Sequence, residues 1–151
     1  PLVSSITARR RTMGAANHCV SVYLEDKEIP TSLADMVSDL GLKPHQILDA
    51  ARKDNRILTC SLNRYIHISA IRLTYGARGK FNKLLRAIRN ELTMRESISA
   101  ISIFDKHSDF LIGANIPDAR ALYSYLSAKN TTTLHMPGFP NIFGKAKVMS
   151  S

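Results

Sequence analysis

Residues 33–50 read Leu-Ala-Asp-Met-Val-Ser-Asp-Leu-Gly-Leu-Lys-Pro-His-Gln-Ile-Leu-Asp-Ala. Leu33, Met36, Val37 and Leu40 recur at helical spacing. Pro30-Thr31-Ser32 supplies helix-start residues ahead of them, with Asp35 in the first turn. Gly41 ends this helix, because it can take the left-handed backbone that a steep turn needs. Pro44 sits where a second helix begins. Ile47, Leu48, Ala50 and Ala51 give that helix an apolar face as far as Asp54-Asn55. Working outward, a strand is expected at about Cys19–Leu24, followed by a polar turn at Glu25–Glu28. Beyond the helix pair, two β-prone runs, Arg56–Leu62 and Tyr65–Ile71, read as a hairpin turning at Asn63-Arg64.

Strand, helix pair and hairpin, over about residues 19–71, resemble a winged helix-turn-helix nucleic-acid-binding domain. Leu42 and Ile47 would fill the wedge between the helices, with Val37 at their contact. The resemblance implies a second helix in the major groove and a wing on the backbone or minor groove. On this chain Lys43, His45, Gln46 and Asp49 would face the groove, and Arg52, Lys53, Arg56 and Arg64 would meet phosphates. Gln46 would pair bidentately with adenine. The chain departs from a strong base reader in having no Arg before Arg52 and in carrying Asp49. The segment is also similar to the small helical N-terminal module of bacterial translation initiation factor two, which implies RNA or ribosomes.

Charge adds an independent argument. Residues 43–95 hold twelve of the 21 Lys and Arg against three acids, so the whole net charge of +9 comes from that window. A localised basic surface is the footprint of a phosphate-backbone binder. It extends past the hairpin to Tyr75-Gly76-Ala77-Arg78-Gly79-Lys80, which reads as a basic loop ahead of a helix over 80–93. In such a loop the glycines admit phosphate close to the backbone, and Arg78 and Lys80 supply charge. The spacing is not that of a Walker A loop. Phe81, Leu84, Leu85, Ile88 and Leu92 mark the apolar stripe of the helix. Lys83, Arg86, Arg89 and Asn90 lie away from it.

The rest of the chain reads as strand 97–104, a turn at Asp105–Ser108, strand 110–116 and helix 117–128. The expected class is thus α+β: a winged-helix-like unit (17–71) followed by a small β-α-β-β-α extension (72–129) packed on it. Residues 1–16 read as a flexible basic arm and 130–151 as an irregular tail. The tail's Phe139, Ile142 and Phe143 are candidates for docking on the domain or on a partner, as in a homo-oligomer or larger assembly. The order fits a ferredoxin-like or RRM-like layer, but 97–102 lacks the stacking aromatics of an RRM.

No apolar run approaches the ~18–20 residues of a membrane span. No secretory pattern follows Arg9-Arg10-Arg11. Cys19 and Cys60 read as small core residues in a reducing interior, so an intracellular location is expected. The five histidines form no metal-ligand spacing. Asp105, His107 and Asp109 read as a polar turn, and no nucleophile context marks an enzyme. No catalytic residue, metal or cofactor is therefore expected. The sequence points to a nucleic-acid-binding module, DNA ahead of RNA, such as the DNA-binding part of a regulator or of a replication, partition or transposition protein. It would grip phosphates through the Lys43–Arg95 surface. A ribonucleoprotein component and a structural assembly protein of a virus or large complex are the alternatives.

Overall fold

A computed structural model of the chain describes residues 17–73, 75–129 and 134–144. The chain divides into two compact units, residues 1–70 and 71–151. Each combines helices with a three-stranded antiparallel sheet, so the expected α+β class holds.

The first unit runs helix α1 (17–25), β1 (Thr31–Ser32), α2 (Leu33–Leu40), α3 (Pro44–Lys53), β2 (Ile57–Cys60) and β3 (Arg64–His67), ending in a 3-10 turn at Ile68–Ala70. β3 is the central strand, with Thr31 of β1 opposite Tyr65 and Ile57 of β2 opposite His67. Ser32 ends β1 and caps α2, its Oγ accepting the Asp35 N–H at 3.1 Å. Gly41 closes α2 at φ 67°, its N–H donating to the Val37 carbonyl. Val20, Leu24, Met36, Ile47, Ala50, Ile57 and Tyr65 form the core, with Val37, Leu40 and Leu42 packed against it.

Two expectations for this unit change. Residues 17–25 are helical, not a strand. Val20, Ser21 and Leu24 are all buried at helical spacing, and burial there outweighs the β preference of Val and Tyr. Cys60 is buried as expected, but Cys19 falls on the exposed side of this helix. The hairpin turns at residues 61–63, starting two residues before the expected Asn63-Arg64, with positive φ at Leu62 (61°) and Asn63 (53°). The Asn63 carbonyl accepts the Leu33 N–H at 2.8 Å, which fastens this turn to the start of α2.

The second unit runs α4 (Tyr75–Met94), β4 (Ser97–Ser99), α5 (Ala100–Lys106), α6 (Ser108–Gly113), α7 (Ala119–Lys129), β5 (Leu134–Gly138) and β6 (Asn141–Gly144). The sheet order is β4-β6-β5, with Ile98 opposite Ile142. α4 packs on β4 and β6, and Phe81 meets Tyr125 of α7 edge to face at 5.3 Å.

The expected β-α-β-β-α order fails here. The Ser-Ile alternation over 97–104 stays extended only to Ser99, whose Oγ then caps α5 by accepting the Ile101 N–H. Ala100 and Ile103 are buried while Ile101 is exposed, so the period has become helical. The expected return strand 110–116 is instead helical as far as Gly113, within α6, with Leu111 inward. The expected turn at 105–108 is the junction of these helices, with Asp105, His107 and Asp109 exposed. Residues 75–80 are the opening turns of α4, not a loop. The tail is not irregular over 134–144: it returns as a hairpin whose Ile142 is fully buried. Arg120 of α7 lies over the rings of Tyr123 (5.8 Å) and Phe139 (5.3 Å). The proposed arm at 1–16 lies outside the described residues.

Backbone strain sets the first prediction. Leu62 is 85% exposed yet left-handed, a conformation that costs an L side chain about 1–2 kcal/mol. Asn tolerates it, so Leu62→Asn should raise the urea midpoint by the equivalent of about 1 kcal/mol. Gly41→Ala should lower it by about 1–2 kcal/mol, because the new Cβ meets the same left-handed penalty.

Candidate nucleic-acid interface

The residues expected to carry charge fall into two groups with different surroundings. In the first unit Lys43 is the N-cap of α3, and Lys43, His45, Arg52 and Lys53 are exposed. Gln46 is not free to read a base with both of its amide groups. Its Oε1 accepts the Lys43 N–H at 2.9 Å, which caps α3. Arg52 is bound by Asp49 one turn back. Arg56 is held by Asp54 through Nε at 2.9 Å and Nη2 at 2.8 Å, and its backbone N–H also donates to Asp54. The Arg56 guanidinium keeps the Asp54 carboxyl below the usual carboxylate range. Arg64 donates from Nε to the Ser61 carbonyl at 3.0 Å and so braces the hairpin turn. Over residues 17–70 there are six Lys and Arg against seven Asp and Glu. Although this stretch contains half of the basic window, it is not itself cationic; the unit's net positive charge comes from Arg9, Arg10 and Arg11.

Helix α4 differs. Phe81, Leu84, Ile88 and Leu92 are 5%, 4%, 2% and 4% exposed and form one buried stripe. Arg78, Lys80, Lys83, Arg86 and Arg89 all lie on the exposed side, with Glu91 the helix's one acid. Glu91 points at Arg95, 3.7 Å away. Among the described residues none of those five cations makes an ion pair. Lys80, Lys83, Arg86 and Arg89 follow one another at intervals of three residues. Each step advances about 4.5 Å along the axis and shifts about 60° around it. The result is an oblique ridge of four positive charges about 13 Å long. Arg78 shares Arg89's side of the helix, because eleven residues are close to three whole turns, but it sits about 16 Å from Arg89 along the axis, next to the Lys80 end.

An open, mostly apolar cleft of about 540 Å³ lies in the first unit between Ser32, Leu33, Val37, Pro44, Leu62 and Asn63. No charged side chain lines it. Among the described residues no three His, Cys, Asp or Glu come together to hold a metal ion, and no helix is long and apolar enough to cross a membrane. No known protein family, curated protein or solved structure matches the chain.

The sequence did not reveal one buried polar group. Ser21 of α1 and His67 of β3 are 1% and 4% exposed, with Ser21 Oγ 3.2 Å from His67 Nε2. On the other side of the ring, Nδ1 accepts the Ser69 N–H at 3.1 Å. An accepting Nδ1 leaves the proton of the neutral ring on Nε2, facing Ser21, with the Glu25 carboxylate 3.6 Å away. Tyr23 donates to Asp39 at 2.5 Å and makes a second tie from α1 to the helix pair. That hydrogen bond, together with burial, pushes the Tyr23 phenol up to about 12. The Ser–His contact ties α1 to the sheet.

Burial pushes the His67 imidazole below its ordinary value, and Arg56 acts the same way. Glu25 and Asp54 oppose the shift. The unfolded chain therefore takes up this proton more readily than the fold does. The His67 contribution to stability should be complete above about pH 6.5 and should be lost as the pH falls below it. Chemical denaturation between pH 5 and 8 should show this decline, and His67→Gln should flatten it.

Proposed function

We propose that this protein binds nucleic acid, with duplex DNA its main ligand, and that α4 supplies the phosphate contacts. One observation carries the proposal: five exposed cations on one helix, none ion-paired among the described residues, against a single acid that faces Arg95. Surface bases that stabilise a fold are usually interleaved with acids, as Asp49–Arg52 and Asp54–Arg56 are here. A row of like charges three residues apart destabilises a helix. It becomes favourable when a polyanion releases its counterions to it.

The first unit supports the duplex-DNA side of this reading. Its order is helix, short strand, helix, helix, hairpin, and the short strand pairs with the hairpin's second strand. That order keeps the helix pair and hairpin of the winged-helix reading and opens with a helix where the sequence led us to expect a strand. In this reading α3 has a secondary role: Lys43, His45 and Lys53 are exposed, while Arg52 and Arg56 already have carboxylate partners. The RNA alternative shares the same phosphate chemistry and is separated by the groove geometry considered below. For the assembly alternative, Ile142 is already buried opposite β4 and is not available to a partner.

The experiment is a salt titration of duplex binding by fluorescence anisotropy. The logarithm of the binding constant should fall linearly with log salt. Replacing Lys80, Lys83 and Arg89 together by Gln should make that slope shallower by about three, close to 0.9 per phosphate contact. An unchanged slope would remove α4 from the interface.

A further inference from the structure

The cations of α4 flank a line of residues with a different chemistry. Asn82, Arg86 and Asn90 are spaced by four, and all three are exposed. At about 100° per residue they run along the side turned away from the buried stripe. Arg78 and Arg89 fall on one side of that line, Lys80 and Lys83 on the other. Among the described residues the side chains of Asn82, Arg86 and Asn90 make no hydrogen bond. The fold therefore makes no use of them, and it tolerates two residues, Asn82 and Asn90, that are poorer helix formers than Ala.

Building on the nucleic-acid reading above, we infer that α4 enters the major groove of duplex DNA and that Asn82, Arg86 and Asn90 read base edges there. Asn pairs bidentately with adenine through N6 and N7, and Arg with guanine through O6 and N7. The line from Asn82 to Asn90 is about 12 Å long, the length of between three and four base steps. Cations on both sides match the two phosphate walls of a groove about 12 Å wide, which admits an α-helix. A-form RNA offers no such opening, because its major groove is deep and narrow. The helix that reads bases is on this account α4 and not α3. α3 carries Asp49 on its outward side and ties up the carbonyl oxygen of Gln46 in its own cap.

The test is selection of bound duplexes from a randomised library with the full chain, followed by affinity measurement on a selected and a scrambled duplex. The expected result is enrichment of a short motif containing adenine and guanine. Asn82→Ala combined with Asn90→Ala should then lower the affinity ratio of selected to scrambled duplex by roughly 5- to 150-fold for each Asn–adenine pairing removed. Alanine raises helix propensity at both sites, so a fall in the ratio would not stem from unfolding. Salt-dependent binding with no enriched motif would overturn this inference and leave the phosphate-binding function standing. An enriched motif with a ratio untouched by the double variant would assign the reading to another element. Structured RNA that outcompetes duplex DNA at equal salt would refute the groove assignment, and no binding to either would overturn both proposals.

Discussion

The burial of one stripe of α4 allows the rest of that helix to be what it is. Phe81, Leu84, Ile88 and Leu92 are the buried stripe of a helix that packs on β4 and β6, and Phe81 meets Tyr125 of α7. Each such side chain contributes about 1.5–3 kcal/mol when withdrawn from water. Against this stand Gly79, which costs about 1 kcal/mol inside a helix, and like-charge neighbours that cost a few tenths each. The packing exceeds these costs, so the outward face is free to carry residues that weaken an isolated helix. No packing need explains Gly76 or Gly79, since a Cβ at either would meet nothing within 4 Å.

Pairing, more than position, separates the two basic segments. Residues 43–70 and 71–95 both contain Lys and Arg at short intervals. In the first segment the bend after α3 brings Asp54 onto Arg56, and one helical turn brings Asp49 onto Arg52. Exposed pairs of this kind contribute little to stability, typically below about 1 kcal/mol. Their effect is local neutralisation, because a phosphate approaching Arg56 must compete with a carboxylate already in place. Among the described residues no carboxylate competes in this way for the five cations of α4.

The long amphipathic helices were legible because their apolar spacing is sustained. Leu33, Met36, Val37 and Leu40 marked α2, Ile47 and Ala50 marked α3, and Phe81 through Leu92 marked α4. Short segments were not legible. Ser97-Ile98-Ser99-Ala100-Ile101 fits both a period of two and a helical period, and only the partner strand β6 decides where extension stops. Gly76 and Gly79 read as a loop because propensity is local, whereas a helix can extend through them once its later turns are packed. At the candidate site, the basic residues could be named from the sequence. Which of them stay unpaired could not, apart from the Asp49–Arg52 spacing, which is a helix-face pair in any chain. Ser21 and His67 are 46 residues apart, and only the fold brings them together.

The distribution of charge also bears on how a duplex would be oriented in the proposed complex. α4 has five bases and one acid, while residues 17–70 have one more acid than bases. Of these two stretches α4 would attract a polyanion more strongly, at a rate that salt reduces. Asp49, on the outward side of α3, would repel a phosphate placed over that helix. Phosphate contacts of this kind position a protein on DNA without distinguishing sequences. Discrimination then depends on what lies between the flanking cations once they are seated, and on α4 that strip holds amide and guanidinium groups for which the fold has no use.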